Sequence, residues 1–289
     1  MMYGVSSMTG PLKKVGLVKP GISLKNADPL LWHYSSSFDP KKVESIHKSF
    51  VNLLVESNIE ILWMSEDENG IADSVFTYDA SFMTEFGAII LSPGKQLRKG
   101  EENIHRQFYN RNNIPIIGEI VDEGIAEGGD IFWLDNKTII VGKGFRTNQN
   151  GVNQLCKILE PYGIKVWSFD LPVFMGSEAC LHMMSLISMV DIKKAIVHSP
   201  LLPSGLFQLL HEKKIELIEA PEREFNSSST LSINVLATAP GECIMLSGLP
   251  ETAEKLAGSG ISLKLLDGDS LCIGCEGGPT CLTRPILRA

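Results

Sequence analysis

Glu127-Gly128-Gly129-Asp130 sets two carboxylates on either side of a pair of glycines, where the backbone can bend or come close to a ligand while acids flank it. Two β-rich runs follow, 131–134 and 138–142, around the polar turn Asp135-Asn136-Lys137, so an antiparallel hairpin is expected with Arg146 returning to the same end. On its own the segment also reads as a polar surface turn with solvated charges. Further along, Cys281 follows Gly277-Gly278-Pro279-Thr280, a flexible approach that can expose a thiol. A thiol titrates near roughly pH 8.5 and needs a nearby cation to act as a nucleophile; a cysteine is equally at home as a small buried hydrophobe. His182, among Leu181, Met183 and Met184, suits proton transfer or a hydrogen-bonded place in the core. Cys272-Ile273-Gly274-Cys275 has redox or zinc spacing, but no second such pair accompanies it and no strand–helix start precedes it, so no zinc site is expected. A thiol pair able to oxidise near Cys281 is the alternative.

Composition narrows the ligand class. The chain has 289 residues, 44% of them apolar and 21% charged, values of a globular protein able to bury a substantial core. A net charge of -8 argues against a nucleic-acid surface and for a small ligand, plausibly cationic. No apolar run reaches the roughly 18 residues of a membrane span, and the opening MMYGVSSMTGPLKK has no hydrophobic signal core. Six cysteines without the spacing of a small secreted domain suggest a reducing compartment, hence the cytoplasm.

The elements that must carry these residues repeat. Helical stretches begin near Pro40, Lys99, Asn148, Pro203 and Pro250, at intervals of roughly fifty residues, each followed by a β-rich run. The first of them is expected from Pro40 to about Ser57, capped by Asp39, with Val43, Ile46, Phe50, Leu53 and Leu54 on its apolar face. Additional apolar runs, 75–77 with 88–91, the 131 hairpin, 186–190 with 195–197, and 233–237 with 243–246, complete four units. The fifth is one strand short, and 15–18 can supply it, which would close a ring. Asp79, Glu127, His182 and Cys281 occupy related places in these units, so a carboxylate pair, an imidazole and a thiol are expected to converge on the ring's axis. The 27–38 segment, with Trp32, His33 and Tyr34, is either a lid over the pocket or packing on the ring's outside.

The chain resembles the guanidine-modifying superfamily of penteins, through FTYDASF, QLRKGE, EGGD, the RTN of Arg146-Thr147-Asn148, CLHMMS and the terminal GGPTCLTRPI, which together run from about Asp73 to the C-terminus. The resemblance implies an α/β fold, a five-bladed ββαβ propeller with pseudo-five-fold symmetry, formed as one catalytic domain over 1–289. Met184 stands two positions after the histidine, where arginine deiminases usually have an acid, and the length leaves no inserted helical domain. Both features are closer to the dimethylarginine dimethylaminohydrolases.

The same resemblance implies catalytic roles for Cys281, His182 and Glu127. Asp79 and Glu127 would clamp the edges of a planar guanidinium, and Arg98 and Arg146 would hold a substrate carboxylate. Asp73 would receive the substrate amine unless it lies in a surface turn, and Asp130 either braces the arrangement or caps the hairpin. The implied reaction is hydrolysis of an arginine-type guanidine, foremost an N-methylated arginine giving citrulline and an amine, through a covalent thiouronium, without metal or organic cofactor. The alternatives are an arginine deiminase, an amidinotransferase on another guanidino compound, or a non-catalytic binding protein. A homodimer remains open.

Overall fold

The computed structural model describes residues 2–65, 70–176 and 181–289. Its strands form five three-stranded sheets. In four of them the order is the same along the chain: two strands joined by a short connection pair antiparallel, and a helix then returns the chain so that a third strand lies parallel to the second. A tight turn can join only antiparallel neighbours, whereas a parallel neighbour needs a crossover, so each unit uses a turn followed by a helix. The units comprise Ser81–Met83, Ala88–Ile90 and Ile116–Glu119; Ile131–Asp135, Thr138–Lys143 and Lys165–Asp170; Ile187–Asp191, Lys194–Val197 and Glu216–Glu219; and Leu236–Ala239, Glu242–Leu246 and Ser262–Leu266. The remaining sheet draws on both ends of the sequence. Arg284–Arg288 pairs antiparallel with Leu12–Val18, which pairs parallel with Glu60–Ser65.

Burial within a sheet is graded. The middle strand of the second unit is buried from Thr138 to Gly142, while its last strand, Lys165–Asp170, mixes exposed and half-buried positions. Ile139, Ile140 and Val141 are fully buried, each contributing about 1.5–3 kcal/mol. Neighbouring sheets touch through inner side chains, as where Phe82 stacks on Trp133 with ring centroids 5.5 Å apart.

Three local expectations are corrected. The first long helix is Val43–Glu56, because Asp39 accepts from the Lys41 amide at 3.0 Å and holds 40–42 in a turn ahead of it. Its buried stripe is Val43, His47, Phe50 and Leu54, with Ile46 and Leu53 only half-buried. Residues 75–77 are not a strand: Ala72–Val75 is a 3-10 turn and the strand is Ser81–Met83. The hairpin turn spans two residues rather than three, since Asp135 pairs with Thr138 and its carboxylate accepts from the Lys137 amide at 3.1 Å. No helix among the described residues is long and apolar enough to cross a membrane.

Glu224 links two units at some distance along the chain. From the short helix Glu222–Ser227 its buried carboxylate accepts from the amides of Glu251 (2.9 Å) and Thr252 (2.7 Å) and from the Thr252 hydroxyl (2.5 Å). These donors open the helix Pro250–Gly258, which has no side-chain cap of its own. Glu224→Ala is expected to cost about 2–3 kcal/mol, because it strands buried donors at a helix N-terminus; a urea-unfolding shift below about 0.5 kcal/mol, the size of an ordinary surface change, would refute the link.

Candidate active site

Glycines bring the carboxylates in. A Cβ on Gly128 would lie 2.0 Å from the Tyr78 carbonyl oxygen, and one on Gly129 would lie 2.5 Å from Nδ1 of His182 and 3.0 Å from Oδ1 of Asp79. Only bare backbone fits there, so the EGGD segment passes directly under Asp79 and His182, and the Gly129 amide donates to Asp79 Oδ1 at 2.7 Å.

Glu127 is fully buried at the centre. Oε1 accepts from the amides of Gly94 (2.8 Å) and Lys95 (3.3 Å) and from Arg146 Nη1 (2.8 Å), and Oε2 faces the same Arg146 nitrogen at 2.8 Å and His182 Nε2 at 2.7 Å. Burial alone would raise this carboxyl, but Arg146, the bond to and charge of His182, and Arg98 together hold it well below the usual carboxylate range. His182 opens the 3-10 turn Met183–Ser185; its amide donates to the Ser185 hydroxyl at 3.2 Å and its side chain accepts from the Ser185 amide, which fixes the ring. Asp130 is also fully buried, accepts from the Met183 amide at 2.9 Å, and so braces the same turn rather than the hairpin tip. Burial lifts its carboxyl to about 6 against the pull of His182, Thr147 and the Met183 amide.

Asp79 stands opposite, its Oδ2 accepting from Arg98 Nη1 at 2.5 Å. Arg98 also grips Glu101 through Nε (2.7 Å) and Nη2 (2.8 Å) and donates to the Phe76 carbonyl at 2.9 Å. Its guanidinium is thus committed mainly to Asp79 and Glu101 and braces the former. Cys281 enters from the last segment of the chain: its carbonyl accepts from the Tyr78 amide at 3.1 Å, one residue before Asp79. Just beyond, buried Arg284 donates to the carbonyls of Tyr78 (2.9 Å) and Ser81 (2.5 Å) with its guanidinium 4.2 Å from the Tyr78 ring centre. The thiol and Asp79 are therefore tied through backbone.

Burial, with Asp79, pushes the Cys281 thiol up to about 11 against the pull of His182, the Asn234 amide and the Gly278 backbone. Asn234 was not anticipated from the sequence. Its Nδ2 donates to Cys281 Sγ at 3.1 Å while its Oδ1 accepts from the Thr280 amide at 2.9 Å. The one signal for it is an amide buried inside the apolar stretch 231–239. Lys95 was also missed: Nζ reaches Asp73 Oδ2 at 2.6 Å and the Trp32 carbonyl at 3.1 Å. Asp73 is buried rather than in a surface turn, and takes the Tyr34 hydroxyl at 2.7 Å on its other oxygen.

These groups line a cavity of about 410 Å3 that includes Asp73, Asp79, Arg98, Arg146, His182 and Cys281, with Trp32 and His33 on its rim. The 27–38 segment thus covers the pocket, held by Tyr34 on Asp73 and by the Ser35 amide on the Gly274 carbonyl at 2.8 Å. Cys272 and Cys275 are free and buried, on and just after the π-turn Asp269–Ile273. Cys180, at the start of the CLHMMS motif, lies outside the described residues. Among the described residues one group has metal-ligand spacing, with Asp79, Glu127 and His182 each offering an atom within 4.8 Å of the others. Those carboxylates already carry Arg98, Arg146 and amide hydrogens, a donor set that suits a hydrogen-bonding cation better than an ion. In the cavity lining Asp73, Asp79 and Glu276 are matched by Lys95, Arg98 and Arg146, while the carboxylate of Glu127 lies fully buried behind His182 and Arg146.

The family model described as arginine deiminase matches residues 69–207, a span that holds the carboxylates and His182 but stops before Cys281. Dimethylarginine dimethylaminohydrolase from Streptomyces coelicolor is 30% identical over 73% of this chain and 73% of its own length. The Pseudomonas aeruginosa protein of that name is 28% identical over 85% of this chain and 89% of its own. Its solved structure in complex with citrulline superposes with a TM-score of 0.77 at 24% identity, covering 96% of this chain and all of the other. The chain belongs to the guanidine-modifying superfamily of penteins. Within it the chain is dimethylarginine dimethylaminohydrolase-like, and its relatives support a hydrolase acting on C–N bonds.

The two glycines should respond differently to a methyl group. Gly128→Ala meets backbone and is expected to cost 3 kcal/mol or more, roughly the upper range of single substitutions, whereas Gly129→Ala meets the His182 side chain, which can give way by loosening its bonds to Glu127 and Ser185, and should cost about half as much. Equal urea-unfolding shifts would contradict this reading of the close approach.

Proposed function

We propose that the protein is a cysteine-dependent hydrolase of an arginine-type guanidine, foremost an N-methylated arginine, built as one domain over 1–289 whose five sheets close into a ββαβ propeller. The observation that carries this reading is a thiol, an imidazole and the Asp79 carboxylate opening onto one cavity that also carries the fixed charges a zwitterionic end needs. Asp79 and Glu127 take the edges of the guanidinium, and Asp130 holds the turn that carries His182. Arg146 takes the substrate carboxylate, and Asp73, held by Lys95, receives the amine end. Arg98 keeps Asp79 oriented and offers its remaining N–H to the same carboxylate.

The chemistry follows from the proton inventory. Held up near 11, Cys281 is a thiol at neutral pH, and a guanidinium bound against it favours the thiolate. The thiol proton passes to His182, Sγ bonds to the guanidinium carbon, and Asn234 stabilises the developing anion on sulfur. His182 then protonates the departing amine as its C–N bond breaks, leaving an amidino-thioether cation between the two carboxylates. Water, losing a proton to His182, adds to the same carbon; the C–S bond breaks, the thiolate recovers the proton, and a ureido product leaves. Deimination of arginine by the same residues is the second reading, favoured by the arginine deiminase model over residues 69–207.

Mass spectrometry of the protein incubated with arginine, methylated arginines, agmatine and guanidino acids is expected to show a ureido product that is absent with Cys281→Ser; no turnover of any guanidine by folded protein would sink the proposal. Alkylation of Cys281 by iodoacetamide should rise about tenfold per pH unit from 7 to 9 without a plateau, because the thiol titrates above that window. Asp79→Asn, which removes the charge that opposes ionisation, should bring the curve to lower pH, and a plateau below pH 8 in the unmodified protein would contradict the raised thiol.

A further inference from the structure

A second cavity, of about 350 Å3, meets the first at the reactive groups: His182, Cys281 and Glu276 line both. Their chemistries differ sharply. The first cavity carries Asp73, Asp79, Lys95, Arg98 and Arg146. The second has no charged side chain among its described lining residues apart from the shared Glu276 and His182. Its walls are apolar, with Phe174, Met184, Phe225 and Leu231, and neutral polar groups such as Asn226 and Thr230. A zwitterionic amino-acid end needs fixed charges and belongs to the first cavity, so the second must take a different, uncharged part of the ligand.

The reaction geometry says which part. A guanidinium carbon placed before Cys281 directs one nitrogen along the amino-acid chain into the charged cavity and another toward His182, which protonates the amine that leaves. Substituents on that departing nitrogen continue past His182 and Cys281, where the described residues open into the apolar cavity. Size then discriminates. A methyl group is comparable to one water, about 30 Å3 of liquid volume, so two methyls fill only a fraction of the space. Glu276, which lines both cavities, sits at φ 58, in the left-handed region an L-residue adopts at a cost.

We infer, on the basis of the hydrolase reading, that this cavity is a subsite for an apolar substituent larger than methyl on the departing guanidine nitrogen, and that substrates of this class are Nω-alkyl or Nω-aralkyl arginines releasing a primary amine of several carbons. Each turnover still breaks one C–N bond, adds one water and yields a ureido amino acid with the protonated amine. Among the residues that line this cavity, Asn226 is exposed on the short helix Glu222–Ser227 and tolerates a larger side chain.

The test is kcat/KM for arginine and for Nω-methyl-, Nω-propyl-, Nω-butyl- and Nω-phenethyl-arginine, read as citrulline and amine together, in the unmodified protein and in Asn226→Trp, with thermal unfolding as the folding control. The butyl-to-methyl ratio should be at least ten in the unmodified protein and fall to about one or below in Asn226→Trp. Turnover of arginine or its methyl form with a ratio of one or less in the unmodified protein overturns the subsite while leaving the hydrolase reading intact, as does an Asn226→Trp variant that keeps the ratio. Absence of turnover across the whole series overturns the hydrolase reading, and the subsite with it.

Discussion

A carboxylate sealed from water is the constraint around which this structure is arranged. An ionised group in a protein interior costs several kcal/mol unless it is fully hydrogen-bonded and paired, and Glu127 has no contact with solvent. Its two oxygens are matched by a guanidinium, an imidazole and two main-chain amides drawn from the segments 94–95, 146 and 182. Each of these therefore has a fixed place before any ligand arrives. The close approach of Gly128 and Gly129 to Tyr78 and His182 is the steric counterpart: the acid can be delivered only on a backbone without side chains.

Around that acid the site divides its work between charge and backbone. Asp79 is pinned on one oxygen by Arg98 and on the other by the Gly129 amide, so its position relative to Glu127 is set twice. Cys281, by contrast, is placed chiefly through its main chain and through the neutral amide of Asn234. The result is a thiol kept in its neutral form beside two pinned carboxylates. Storage of this kind protects a thiol from adventitious reaction and couples its ionisation to occupancy by a cation.

The repeat was legible because period and hydrophobic pattern are local properties. The five helix–strand alternations and the meeting of Asp79, Glu127 and His182 could be read from spacing and motif order, whereas the strand Arg284–Arg288, which takes Leu12–Val18 in place of the Ser262–Leu266 run, could not. What escaped depended on how individual side chains spend their donors and acceptors, some on near neighbours and some on segments far apart in sequence. Asp39 looks like a helix cap until its carboxylate is spent on a turn; Arg98 looks like a free anion receptor until Glu101, Asp79 and the Phe76 carbonyl claim its donors. Asn234 sits in an apolar strand-like stretch, and nothing near it in sequence announces a thiol 47 positions away. Lys95 adjoins the QLRKGE motif, yet its partner Asp73 belongs to another segment.

The sheet that joins Leu12–Val18 to Arg284–Arg288 also orders events in time. Contacts between residues this distant in sequence carry the largest loop-closure cost and form slowly. During synthesis the intervening four sheets can form as their residues appear, but the first sheet waits for the strand that follows Cys281. Arg284, which locks that strand onto the Tyr78–Ser81 backbone, arrives three residues after the thiol. The segment that carries Asp79 is thus fixed in place only when the last strand is made, so the acid and the sulfur are seated in one closing step.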